Sequence, residues 1–340
     1  MSIIPVEVPT GAIRYNTDSN KMECFNGTKW MQVAVSSPDL NGGTRALFMG
    51  GETPASSPGR LNTIDYVTIP TAGNAIDIGD LVDTRSNPGV FSSRTRAICG
   101  GGEAPGAVAT IDYVAISSTG NAADFGDLTD ARKRLNQQAG SNQTRGLFCG
   151  GNGPAGTVNL VDYITISSTG NAVDFGGDLA QAQTWGGNAT SPTRVIIGGG
   201  FTDPGLTANM QYLNIATTGI NFINFGELGT GSLSYAAAAN NAVRGIWCGG
   251  TDPSSITTIQ TMEMASLGNT IAFGNLATAV AKHGATTSST RLVTGGGDSS
   301  GATNIISYIS IATTGDSVDF GDLTVVTQHV EATSNAHGGL

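Results

Sequence analysis

An Arg-led segment recurs six times along this chain, and that recurrence constrains the fold more than any other feature. The arginines are Arg45, Arg96, Arg145, Arg194, Arg244 and Arg291, at spacings of 51, 49, 49, 50 and 47 residues. In the third copy the segment reads Thr144-Arg-Gly-Leu-Phe-Cys-Gly-Gly151, then Val161-Asp-Tyr-Ile-Thr-Ile-Ser-Ser-Thr-Gly-Asn171, then Asp174-Phe-Gly-Gly-Asp-Leu179. A period near fifty belongs to arrays whose repeats bury their apolar faces only against their neighbours. Each copy carries four strand signals; in the third they cover 136–142, 145–150, 161–167 and 172–179. The third strand is apolar on both faces, as expected of a strand buried between two neighbouring sheets. Glycine pairs at 50–51, 101–102, 150–151, 199–200, 249–250 and 296–297 end the second strand, where positive φ and close backbone approach are needed. The pattern predicts an all-β, six-bladed β-propeller over residues 44–340.

The ends of the array bear on its closure. The first copy begins at its second strand, whereas residues 328–340 align with 136–147 of the third copy. The C-terminal segment is therefore expected to supply the first strand of the first blade. An open array would instead leave two unpaired strand edges, which favour aggregation.

Composition narrows the function classes. Charged residues make up 12% of the chain, against a usual share of about 25%. The net charge is −10 with no basic cluster, which argues against a nucleic-acid partner. No run of about 18 apolar residues occurs, so no membrane insertion is expected, and the N-terminus lacks the basic flank and apolar core of a secretory signal. Cys99, Cys149 and Cys248 occupy one repeat position and read as small buried hydrophobes, with Cys24 outside the array.

Residues 1–35 form a separate module. Ile13 to Asn16, Lys21 to Phe25 and Lys29 to Val33 read as three strands, with Asn26-Gly27 as a hairpin turn. A meander this small cannot bury an adequate core alone, so it is expected to dock on something. Residues 36–43 read as a linker. The module resembles a short element of tail fibres and other virion proteins of tailed bacteriophages, through Gly11, Ile13, Arg14, Tyr15, Asn16, Thr17, Phe25, Asn26, Gly27 and Trp30. The resemblance implies a phage structural protein located in the virion, at the tail or particle surface. It also implies that Arg14, Tyr15, Phe25 and Trp30 belong to a surface that attaches to other virion proteins.

The array itself resembles kelch-type β-propellers, in which the second strand ends in Gly-Gly and an aromatic sits on the third. Here that aromatic is Tyr66, Tyr113, Tyr163, Tyr212 and Tyr308, with Thr261 in the fifth copy. The family's Trp on the fourth strand is replaced by Phe125, Phe175, Phe225, Phe273 and Phe320, with Ile78 in the first copy. The resemblance supports the fold and no single activity.

Catalytic chemistry is not visible. His283, His329 and His337 have no Cys, Ser or Asp arrangement in the sequence that resembles a triad or metal site. Asp174-Phe-Gly176 is a blade motif and not a kinase element, because neither the catalytic loop nor a Gly-rich loop accompanies it. Asp-x-x-Asp spacing at 77/80, 124/127 and 319/322 offers oxygen ligands, but the EF-hand pattern is absent. No catalytic residue, cofactor or metal is expected. The repeated Arg, and the repeated acid at Asp80, Asp127, Asp178 and Asp322 (Glu227 and Asn275 elsewhere), read as bracing.

The turns after the third strand are nearly uniform, whereas the loops after the second strand all differ. Recognition resides on loops held by a rigid scaffold. The expected contact residues are Arg60, Glu103, Asn152, Phe201, Asp203, Asp252 and Asp298. The partner expected there is a host-surface receptor or glycan, or a neighbouring virion protein, and a homo-oligomer is compatible with the pattern. Capsid or neck decoration is the alternative role, and a glycan-active enzyme is disfavoured by the missing acid/base pair.

Overall fold

The computed structural model describes residues 8–16, 21–32, 44–54, 59–135 and 139–340. The linker and the strand end at Val33 lie outside the described residues, as do Thr17 and residues 136–138. The chain divides into two compact units, Met1–Gly43 and Thr44–Leu340.

In the first unit, strands Ile13–Asn16, Lys21–Phe25 and Trp30–Gln32 form one antiparallel sheet. Asn26 Oδ1 accepts hydrogen bonds from the amides of Thr28 and Lys29, and Gly27 takes φ +95°, so the Asn-Gly pair makes the turn. Arg14, Glu23, Phe25 and Trp30 share one face: the guanidinium lies 2.7 Å from Glu23 and 4.2 Å from the centre of the Trp30 ring. Tyr15 falls on the opposite face with Ile13, Met22 and Met31, all exposed.

Among the described residues, the second unit forms six four-stranded antiparallel sheets and two short hairpins. The third sheet is typical, with strands Ala139–Ser141, Arg145–Cys149, Val161–Thr165 and Val173–Asp174. Its fourth strand is shorter than expected, since the ladder ends at Asp174, whose Oδ1 accepts the Gly176 amide. The first strands of the other sheets are Gly89–Ser92, Gly187–Thr190, Ala237–Asn240, Gly284–Thr287 and Glu331–Ser334. The last of these pairs with Arg45–Met49, so the C-terminal segment completes the first sheet. The first strands neighbour one another in a cycle that returns from Glu331–Ser334 to Gly89–Ser92.

The core is a set of layers between successive sheets. Phe91, Ile98, Phe125, Phe148 and Ile164 pack between the second and third sheets, and Phe48, Val67, Val293, Ile306 and Phe320 between the sixth and the first. Each fully buried aromatic or aliphatic side chain of this kind contributes roughly 1.5–3 kcal/mol.

Two polar ladders join neighbouring sheets, the first at all six junctions and the second at five of them among the described residues. Each repeat Arg sits over the tyrosine of its own sheet where one is present, at 4.6–5.0 Å. It donates to a carbonyl at the end of the next sheet's third strand: Arg45 to Ile116, Arg96 to Ile166, Arg145 to Ile215, Arg194 to Met264, Arg244 to Ile311 and Arg291 to Ile69. The glycine of Asp-Phe-Gly explains its own repetition. At Gly126 (φ +145°) a Cβ would lie 2.5 Å from the carbonyl oxygen of Gly170 in the next sheet. The repeated acid acts through its backbone: the Asp80 and Asp127 amides donate to the side chains of Asn121 and Asn171.

The second ladder was not anticipated. The residue before each ladder aromatic points into the junction with the preceding sheet. Asp112 and Asp162 meet the fully buried Arg85 and Arg132 at 3.0 and 2.7 Å. Burial raises the Asp112 carboxyl above the usual carboxylate range, against the opposing pull of Arg85. Gln211 donates to Gln183 at 2.7 Å, Gln260 to Thr230 at 2.8 Å, and Asp65 accepts from Thr324 at 2.6 Å.

Candidate functional site

Two residues before five of the six first strands, and five before the remaining one, the backbone enters the left-handed region. The residues are Asn87, Arg134, Trp185, Tyr235, Lys282 and His329, with φ between 54° and 59°. Left-handed geometry costs a bulky residue roughly 1–2 kcal/mol, and glycine would avoid that cost. The chain has 49 glycines and places none at these six positions.

Backbone hydrogen bonds link five of these residues in a chain. Tyr235 N donates to Trp185 O (3.0 Å), Lys282 N to Tyr235 O (3.2 Å), His329 N to Lys282 O (2.8 Å) and Asn87 N to His329 O (3.2 Å). Their side chains converge. The Trp185 and Tyr235 rings stack with centroids 4.6 Å apart and 28° between planes. The Arg134 guanidinium lies 4.9 Å from the Trp185 ring centre, Lys282 Nζ 5.9 Å from that of Tyr235, and His329 5.6 Å from Tyr235 on another side. Beneath them is a cavity of about 10 Å³, lined by Trp185, Tyr235, Lys282, His283 and Glu331. A second cavity of about 50 Å³ runs among the first strands to His337, whose Nε2 lies 3.0 Å from Ser92 O.

Burial sets the charge states. Desolvation pushes His329 down to about 3, helped by Lys282 and Arg134, so its 3.8 Å approach to Glu52 is a neutral contact at ordinary pH. Desolvation raises Glu331, 2% exposed, well above the carboxylate range and also raises the Tyr235 hydroxyl. Trp185 Nε1 and His329 Nδ1 have no hydrogen-bond partner among the described residues.

The first residue of each loop after the second strand pairs with the segment carrying this ring: Glu52 with Gln328, Glu103 with Ser86, Asn152 with Lys133, Phe201 with Thr184, Thr251 with Ser234 and Asp298 with Ala281. Several expected contact residues are therefore brought together. Glu103 lies 3.3 Å from Arg60 and 3.2 Å from Lys133. Asp298 lies 3.0 Å from Lys282, which with the local amides holds its carboxyl below the usual range. Phe201 packs on Trp185 at 5.7 Å. Asp203 and Asp252 remain exposed at loop tips, apart from this cluster. Four of the cations of residues 44–340 gather here: Arg60, Lys133, Arg134 and Lys282, the last two with their head groups over the aromatic pair.

The sequence did not reveal the six left-handed residues, because only Asn87 and His329 are residue types enriched at positive φ. Nor did it place His283 beside a cysteine. The two sulfur and nitrogen atoms lie 3.7 Å apart, from Cys248 Sγ to His283 Nε2, across 35 residues of sequence. Burial pushes the thiol up to about 12 and the imidazole down to about 3, so neither is activated for nucleophilic or acid/base chemistry. No model of a known protein family matches the chain, and no curated protein matches it.

Proposed function

We propose that this chain is a structural protein of a tailed-bacteriophage particle, a tail fibre or tail-associated component, whose residues 44–340 form a closed six-bladed propeller with a recognition face. The cyclic order of the first strands and the bond from Arg291 to Ile69 support closure. The phage-type motif around Arg14, Tyr15, Phe25 and Trp30 supports attachment to other virion proteins, and the exposed Ile13, Tyr15, Met22 and Met31 offer an apolar surface for it.

One observation carries the recognition reading: six left-handed positions, none of them glycine, and five of them, Arg134, Trp185, Tyr235, Lys282 and His329, bring aromatic and cationic side chains together. Strain retained against an easy alternative marks a functional site. The stacked Trp185–Tyr235 pair beside Arg134 and Lys282 suits a sugar ring with an acidic substituent: the rings supply an apolar platform and the cations a charge partner. The partner is accordingly a host-surface glycan, and binding without turnover is the activity.

Competition tests this reading. Purified full chain added to host cells should block particle adsorption in a dose-dependent way. Trp185→Ala, and replacement of Phe201-Thr-Asp203 by Ser-Gly-Ser, should each weaken the block about tenfold in variants that still melt cooperatively, at a somewhat lower Tm because the Trp185–Phe201 packing is lost. Variants that fold and block like the wild type would move recognition elsewhere. A wild-type chain that blocks nothing would leave capsid or neck decoration as the function.

A further inference from the structure

The junction between the fifth and sixth sheets lacks the brace found at the others. Residues there correspond, at a constant offset of 195, to those of the junction between the first and second sheets. In that earlier junction the Arg85 guanidinium donates to Gly101 O (3.2 Å), Thr110 O (2.9 Å) and Asp112 Oδ2 (3.0 Å). The corresponding residues are Val280, Gly296, Ile305 and Ser307. The backbone is unchanged: Gly296 N donates to Ile305 O at 3.1 Å, as Gly101 N does to Thr110 O at 3.1 Å. The carbonyl pair is thus retained while the guanidinium and its carboxylate are gone. A cavity of about 200 Å³ takes their place, lined by Val280, Gly296, Ile305 and Ser307. At the junction of the sixth and first sheets, where Thr327 replaces the Arg and Asp65 is kept, the cavity is only about 10 Å³.

We propose that this cavity is a binding site for a guanidinium group from outside the chain, carried by an arginine side chain of a partner protein. The chain itself fills the equivalent space with a guanidinium twice, at Arg85 and Arg132. The floor is apolar at Leu276 and Val280, fit for the methylene stem. At Arg85 and Arg132 one guanidinium nitrogen donates to both carbonyls and the other to the carboxylate, three directed bonds from one planar group. Thr278 and Asp319 are exposed at the rim, so the cavity opens to solvent. Asp319 supplies a carboxylate near the position that Ser307 has lost. The site is independent of the ring around Trp185.

The test is amide-shift mapping of the labelled full chain with two probes, ethylguanidinium and the blocked peptide acetyl-Gly-Arg-Gly-amide. Saturable shifts at Thr278, Gly296 and Ser307 are expected, with a Kd on the order of 1 mM or tighter. Val280→Arg with Ser307→Asp rebuilds the internal brace and should weaken both probes about tenfold or more. Should that variant not fold, Thr278→Arg places a like charge at the exposed rim and should give the same loss. Tighter binding of the peptide than of ethylguanidinium supports a protein partner, and the reverse order overturns that assignment. No saturable shift with either probe, or shifts equal in wild type and variants, overturns the site.

Discussion

Arg132 offers a quantitative test of how the sheets are joined. Both side chains of the Arg132–Asp162 pair are fully buried. The guanidinium also donates to Gly150 O at 2.8 Å and Leu160 O at 2.9 Å. Arg132→Gln would leave the Asp162 carboxylate in the interior with no cationic partner, facing only neutral donors: the amide and hydroxyl of Thr129 and the new side-chain amide. Removing one partner of such a pair costs about 3–5 kcal/mol. For a unit of this size that lowers Tm by roughly 6–10 °C. The chain contains its own control, because the next junction carries Gln183 and Gln211, with Gln211 also accepting from Ala180 N at 2.8 Å. The double variant Arg132→Gln/Asp162→Gln recreates that neutral pair. It should recover to within about 1–2 kcal/mol of the wild type, since a satisfied neutral replacement of a buried ion pair is often near neutral. Thermal melts of the four proteins of this cycle give the coupling. A single variant that loses under 1 kcal/mol, or a double variant no more stable than the single, would refute the brace.

Three further outcomes follow from the same structure. Deleting residues 327–340 removes the strand that pairs with Arg45–Met49 and should produce early melting and aggregation; a monodisperse truncation with unchanged Tm would count against closure by this strand. Residues 36–340 alone should fold normally but fail to enter particles, and normal incorporation would remove the attachment role of the N-terminal module. For pH, the signs oppose. The buried His283 and His329 resist protonation down to about 3, and the half-buried His337 down to about 4, so the unfolded chain takes up protons first and stability falls as pH drops below 6.5. Glu331 is raised, so the unfolded chain ionises first, and stability is lost as pH rises from its ordinary range through its folded pKa. Glu331→Gln should therefore raise Tm at pH 7–8 and leave the acid limb in place; a lower Tm at pH 7 would show that the carboxylate has a cationic partner.

Much of the fold was legible because the repeat compares the chain with itself. Six Gly-Gly pairs, five tyrosines in register and a C-terminal segment resembling the third copy's first strand are each visible without coordinates. The joints between sheets were not legible, because their position varies: Arg85 and Arg132 are followed by Gln183, Leu233, Val280 and Thr327. Variation of that kind looks like drift until the facing residues, Asp112, Asp162, Gln211, Gln260, Ser307 and Asp65, are seen to vary with them. The expected contact loops were chosen for their irregularity, and the structure places three of their residues, Glu103, Phe201 and Asp298, against Lys133, Trp185 and Lys282. The stacked pair they surround was missed, since Trp185 and Tyr235 occupy a backbone conformation that neither side chain advertises.

Hydroxyl-radical footprinting of particles before and after adsorption to host cells tests the recognition face most directly. Trp185, Tyr235 and Phe201 react through their rings, and Tyr66, Tyr113 and Tyr163, held under their repeat arginines, serve as internal standards. Recognition at the left-handed ring predicts that adsorption protects Trp185, Tyr235 and Phe201 relative to those standards. Unchanged reactivity at all three, with protection at the turns that follow the third strands, would contradict it.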